Sequence, residues 1–298
     1  MPSNLQLADI KELRILPRNQ CFYAEFVYEK GSVPRYYLNP NNALAIDPGI
    51  NNWLSCVDNV GTSFIVDGRK VKSLNQWYNK RVSTIKGGKP QGYWDNQLAH
   101  ITEKRNRQMR DAVNKAAKLV VDHCIKHQIG TVVFGWNTGQ RQQATLGKTN
   151  QSFVQIPTAK LKGRIKQLCE ESRIRFVETE ESYTSKTSFL DGDFLPTFGE
   201  KPQGWKPSGK RVKRGMYRTG AGKLINADLN GAANILRKVE TQLGLNLVKV
   251  CRQVLTLATR FRIWETKTKK RRGADARPPR SNSLESPSIY GGERSIIE

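Results

Sequence analysis

Asp47 ends the apolar run Ala43–Ile46, and Pro48 and Gly49 turn the chain immediately afterwards. A carboxylate among buried strand residues is costly unless it is paired or binds a metal. The plainer alternative is an aspartate that caps its own turn through the backbone. Asp228 opens the stretch ADLNGAANILRKV, where Ala227, Gly231 and Ala232 are small enough for a helix to approach a sheet closely. Alone, it reads as a first-turn acid that suits the positive end of a helix. As a pair, one acid ending a central strand and the other starting the final helix, they suit a hard divalent cation such as Mg²⁺. Such an ion takes carboxylate oxygens and fills its remaining positions with water and phosphate. Two ions about 4 Å apart would activate an attacking water and stabilise the leaving oxygen in phosphodiester hydrolysis.

Those acids need a framework, and the hydrophobic pattern predicts one. KELRILP and CFYAEFVYEK are short alternating runs bounded by Pro17, Asn19 and Gly31, and predict a hairpin. NNALAIDPGINN, NWLSCVD and SFIVDGRKV follow in close order with Pro-Gly and Asp-Gly as turn signals, the pattern of a three-stranded meander. Met109, Ala112, Val113, Ala116, Ala117, Val120, Val121, Cys124 and Ile125 form one face of a long helix, whose other face is rich in Arg and Lys. IGTVVFGWN reads as a buried parallel strand, Pro157 as a helix first turn, and RIRFVETEE as another strand. Strands in a meander followed by alternating helix and strand indicate one α/β domain with a mixed sheet.

Charge narrows the partner. Of 298 residues, 50 are Lys or Arg and 26 are Asp or Glu, for a net charge of +24. An excess of this size opposes compaction unless a polyanion offsets it, which points to nucleic acid or an acidic membrane surface. The stretch from Lys201 to Lys223 holds eight basic residues and no acid, and Lys210, Arg211, Lys213, Arg214 and Arg218 are its candidate nucleic-acid contacts. Met216 and Tyr217 are interleaved among them, so a base could stack there. No run reaches the roughly 20 apolar residues that span a bilayer, and no signal peptide is visible. Five separated cysteines without a CxxC pair fit a reducing, cytoplasmic setting. From Glu265 the composition, including KTKKRR at 267–272, is that of a disordered basic tail.

AIDPGINN, VVFGWN, EESYTSKTSFLDGD and NADLNGAANI, in this order, resemble the TnpB (OrfB) proteins of insertion sequences over about residues 10–240. Those are RNA-guided DNA endonucleases related to type V CRISPR effectors. The resemblance implies an RNase H-like (RuvC) mixed sheet with flanking helices, preceded by short wedge-type strands and followed by the tail. It divides the chain into a wedge-like segment 1–42, a nuclease domain 43–245 with a basic insertion at 185–225, and a tail 246–298. Guide RNA and target DNA are the implied partners, in the cytoplasm at the nucleoid, and Mg²⁺ (or Mn²⁺) the implied cofactor. By the same resemblance Asp47 is the first catalytic, metal-holding acid and Asp228 the last.

The departures from that pattern are specific. Where relatives carry a glutamate at the end of the strand TVVFGWN, this chain has Gly135. Some relatives with this replacement supply the acid from another segment, which here implicates Glu181 as third ligand, with Glu180 the alternative and Glu178 behind both. Asp191 and Asp193 come next. The cysteines of the relatives' zinc ribbon are absent from 182–225, so no zinc is expected. The chain also starts at the wedge strands, without the relatives' further N-terminal elements. The rival reading is a shortened relative that binds RNA or DNA without cutting it, or a guide-free nuclease with the same core.

Overall fold

The computed structural model describes residues 6–29, 37–137 and 156–264. The chain divides into one compact unit ending at Ile263 and a remainder from Trp264 onward. Among the described residues, every strand and helix lies in the first unit. The basic run 267–272 lies outside the described residues.

Strands β1 (Ile10–Arg18) and β2 (Cys21–Tyr28) form an antiparallel hairpin. Asn19 and Gln20 both take positive φ at its tip, the two-residue turn whose twist matches the strands. The main sheet has six strands: β3 (Asn39–Pro48), β4 (Asn52–Asp58), β5 (Ser63–Asp67), β6 (Ile129–Gly135), β7 (Arg175–Thr179) and β11 (Thr259–Arg262). Their spatial order is β11-β5-β4-β3-β6-β7. β3, β4 and β5 are the antiparallel meander, and β6 and β7 run parallel to β3. This is the RNase H-type arrangement: a mixed sheet whose first strand lies between the meander and the parallel pair. β6 is buried along its whole length, as a parallel strand covered on both faces should be.

Helices flank the sheet. Helices α1 (Arg69–Lys86), α2 (Asn96–Lys126) and α3 (Thr158–Glu171) accompany one face, with Asp95 capping α2 by accepting from the Leu98 N–H at 2.7 Å. Helix α4 (Ala227–Leu243) covers the other. Alternation along β3 sends Ala43 and Ala45 into the α4 core, where they meet Ala232, Ala233 and Leu236. Asp47 shares that face. Asn226 caps α4 by accepting from the N–H groups of Asp228 and Leu229, and Gly244 ends it in a left-handed conformation.

Three findings differ from the sequence expectation. Helix α1 is an element that the sequence reading does not include. The domain also does not end at 245. Val250, Val254 and Leu255 are buried in the α4 core, and β11 pairs in parallel with β5, so the segment to Ile263 belongs to the sheet and not to a tail. Finally, Tyr217 is fully buried and donates its hydroxyl to the Lys186 carbonyl at 2.7 Å, which overturns its reading as a base-stacking residue. It sits on the middle strand of a small antiparallel sheet, β8 (Lys210–Lys213), β9 (Met216–Arg218) and β10 (Leu224–Asn226), and packs into the α4 core.

Candidate metal centre

Because β3, β6 and β7 are parallel, their carboxyl ends lie along one edge of the sheet, and the acids gather there. Asp47 lies at the end of β3 opposite Ser55 of β4. Its carboxylate rests on α4 at Gly231, where an added Cβ would lie 2.6 Å from Asp47 Oδ2. Only glycine leaves that carboxylate its place. Asp228, in the first turn of α4, accepts from Asn52 Nδ2 at 2.7 Å through Oδ2 and from Arg211 Nη2 at 2.9 Å through Oδ1.

Glu181 completes the group. An added Cβ at Gly135 would lie 2.9 Å from both Cγ and Oε1 of Glu181, and 2.6 Å from Ile235 Cδ1. The Glu181 side chain thus fills the space that a side chain at position 135 would claim, at the end of β6 beside Asp47. Burial first, then the negative charges of Glu181 and Asp228, push the Asp47 carboxyl well above the usual carboxylate range, while Arg211 pulls the other way. Asp47 thus feels two other carboxylates, whose oxygens are of the hard kind a divalent cation takes. Among the described residues, no group of three His, Cys, Asp or Glu side chains stands in an arrangement that could hold a metal ion as it is.

Glu180 turns elsewhere. It pairs with Lys238 and accepts from the Ser182 N–H at 2.7 Å. Burial opposes its charge, but the hydrogen bonds from Lys238 and Ser182 outweigh it and hold the carboxyl below its ordinary value. Glu178 is engaged by Lys162 at 2.6 Å. Asp191 and Asp193 are structural: Asp191 accepts from Ser188 Oγ, Ser208 Oγ and the Gly220 and Ala221 N–H groups, and Asp193 from the Ser188 and Ser208 N–H groups. These bonds fasten the 185–225 insertion where the relatives' pattern would place zinc thiolates.

The segment carrying Glu181 is pinned from both ends. Its N–H donates to Asn137 Oδ1 at 2.8 Å, and the Trp136 N–H donates to the Thr179 carbonyl at 2.8 Å. Downstream, the fully buried Asn234 donates to the carbonyls of Thr184 and Thr187, and Asn230 binds Thr187 O and the Phe189 N–H. This is why α4 carries two asparagines on its core side. Replacing Asn234 by alanine takes this donor from the Thr184 carbonyl and leaves Thr187 O with Asn230 alone, and should lower stability by about 1–3 kcal/mol in denaturant unfolding. An unchanged midpoint would show that water satisfies those groups.

Asp47 and Asp228 open into a cleft of about 630 Å³ ringed by Arg69, Arg211, Arg214 and Arg260. Arg211 and Arg214, two of the expected nucleic-acid contacts, are in that ring; Lys210, Lys213 and Arg218 lie exposed on β8 and β9, outside the cleft lining. Arg69 and Arg260 are additions that the sequence reading misses. Arg260 donates to Asn52 Oδ1 at 2.9 Å and pairs with Asp67 at 3.3 Å, with Arg69 on the same aspartate at 3.6 Å. Asn52 therefore links Arg260 to Asp228. The signal for Arg260 is TRFR, a short alternating run that its position near the tail conceals.

Residues 25–141 match the model of the OrfB_IS605 family, described as a probable transposase. The OrfB match includes Asp47, Arg69 and Gly135, and stops before Glu181, Arg211 and Asp228. No curated protein sequence matches the chain. Among solved structures, it is similar to a Cas12f1–sgRNA–target DNA complex (17% identity, TM-score 0.46, 75% of this chain and 55% of that one). It is similar also to a CRISPR–Cas12f ternary complex (18%, 0.46, 72% and 41%) and to Alicyclobacillus acidoterrestris C2c1 with single-guide RNA (11%, 0.33, 58% and 20%). The chain thus spans about half, or less, of the length of these proteins. Among the described residues no helix is long and apolar enough to cross a membrane.

Proposed function

We propose that this chain is an OrfB-type, divalent-metal-dependent, RuvC-like endonuclease that cuts DNA under the direction of a guide RNA. The observation that carries the reading is that Asp47 feels the charges of Glu181 and Asp228, and with Asp228 lines a cleft ringed by four arginines. Asp47, Glu181 and Asp228 would hold Mg²⁺ or Mn²⁺, which when bound supplies an activated water and charge for the leaving oxygen. The chain's own residues do the rest. Gly231 and Gly135 set the positions of two carboxylates, Asn52 orients the third, and the arginines neutralise and register the phosphates of the strand. Hydrogen bonds to Asp191 and Asp193 fasten the insertion.

One observation favours a second reading, binding without cleavage: Arg211 already pairs with Asp228 and offsets part of the charge a metal would meet. The experiment that separates the two is purification from the native locus, sequencing of co-purifying RNA, and assay of matched target DNA with and without Mg²⁺. A discrete RNA and chelator-sensitive cleavage support the nuclease. A discrete RNA with no cleavage in any divalent metal selects the binding protein, and heterogeneous RNA removed by salt removes the guide. Across either reading, log affinity for duplex DNA should fall linearly with log salt, by about 0.9 per phosphate neutralised.

A further inference from the structure

A second cleft, of about 410 Å³, borders the acid centre, and its lining includes Glu180 and Ser182, the residues either side of Glu181. Two aromatic side chains belong to it: Trp136, next in sequence to Gly135, and Phe198, which is 72% exposed. A large aromatic exposed to this degree contributes little to the core, and position 198 gains nothing from burial. Lys162 lies over the Trp136 ring at 4.3 Å and also binds Glu178, while Lys238 binds Glu180. Both acids of the cleft wall are thus already neutralised, and both lysines are already engaged. This chemistry differs from that of the arginine-ringed cleft. A phosphate entering here would meet two carboxylates and, among the described residues of the lining, no cation. A planar base would meet aromatic faces and carboxylate oxygens able to accept from its amino groups.

We propose that the Trp136–Phe198 cleft holds an unpaired nucleobase of the strand lying across the acid centre, by stacking on Phe198. The inference rests on the nuclease or binding reading above, in which a nucleic-acid strand crosses this edge. Asn137 joins the two features, since it lines the cleft and its Oδ1 receives the Glu181 N–H. A base held there fixes the phosphate one or two linkages away relative to Glu181, so the cleft favours single strands over duplex, whose bases are stacked on one another.

The test uses the full chain, in chelator, with three labelled probes of equal length: mixed-sequence single-stranded DNA, duplex DNA, and an abasic single strand. Wild type is expected to bind the first more tightly than the abasic probe by roughly tenfold, the worth of one stacked base. Phe198→Ala should lose that advantage, leave duplex and abasic affinity unchanged, and keep the wild-type salt slope, because no phosphate contact is removed. Phe198→Trp should restore it. A loss shared by all three probes, or a changed salt slope, would overturn the stacking role, as would Phe198→Ala binding the base-bearing strand like wild type. If wild type binds none of the probes in a salt-dependent way, the nucleic-acid reading itself fails, an outcome distinct from failure of the cleft alone.

Discussion

Glu181→Gln is expected to reduce cleavage by at least about a hundredfold while leaving nucleic-acid affinity nearly unchanged, since losing a metal ligand should cost no less than losing an outer-shell partner of one. Glu180→Gln should do far less, because that carboxylate is committed to Lys238 and Ser182. The sharper form of the prediction moves the charge. Gly135→Glu alone sets two side chains in one space, as the 2.9 Å approach of an added Cβ to Glu181 Cγ and Oε1 shows, and should inactivate the protein. Glu181→Gly alone should inactivate it too. Combined, Gly135→Glu and Glu181→Gly clear the overlap and return a carboxylate to the end of β6, with only the flexible tip of Ile235 left to give way. The double variant should therefore cut better than either single one. Activity no higher in the double variant than in Glu181→Gly would mean that the acid must come from the 181 side.

The second large effect is on stability, and its sign is opposite. Asp47 is half-buried beside two other acids, and desolvation, Glu181 and Asp228 all raise its pKa. A carboxyl whose folded pKa lies above its unfolded value binds its proton more tightly when folded, so ionising it costs stability as pH rises through and above the unfolded value. Asp47→Asn keeps the shape and removes the charge. In chelator near pH 8 it should melt higher than wild type, by about 1–2 kcal/mol or roughly 2–6 °C. The gap should narrow as pH falls toward about 5 and Asp47 takes up its proton, and again as Mg²⁺ is added, because wild type alone gains from the ion. Arg211 is the cation that counters Asp47 in the metal-free protein, so Asp47→Asn should also blunt the destabilisation caused by Arg211→Ala. A lower melting temperature for Asp47→Asn at that alkaline pH would show that the ionised carboxylate is satisfied without metal.

Much of this framework can be read from the sequence because it rests on local patterns. β3 and β6 announce themselves as continuous apolar runs, α2 as a three-four repeat, and α4 as small residues behind an Asn cap. Helix α1 escapes because it lacks both signals: Gly68 offers no side-chain cap, and only Val71 and Asn75 are buried along 18 residues. β11 escapes because four residues reading TRFR acquire meaning only by pairing with β5. At the site, Asp47 and Asp228 are legible as residue types in suggestive positions. Glu181 is reached through the missing glutamate at 135. The physical reason for it, a side chain lying in the space above a glycine far back in the chain, is a long-range contact that no local pattern encodes. Tyr217 misleads for the converse reason. Its basic neighbours suggest a surface, and its alternation on β9 puts it in the core.

An acid at position 135 would share the rigidity of β6, whereas Glu181 lies beyond the end of β7. Here it rides on a turn held by Asn137, Asn230 and Asn234 and continuous with the 185–225 insertion. Opening that turn would move Glu181 away from Asp47 while β3, β4 and β6 stay folded, so this turn and the sheet are expected to open as separate cooperative units. Amide exchange at Glu181 and Thr184 should then be governed by a local opening much smaller than global unfolding. Whatever seats the insertion, nucleic acid above all, would switch the centre on by ordering it.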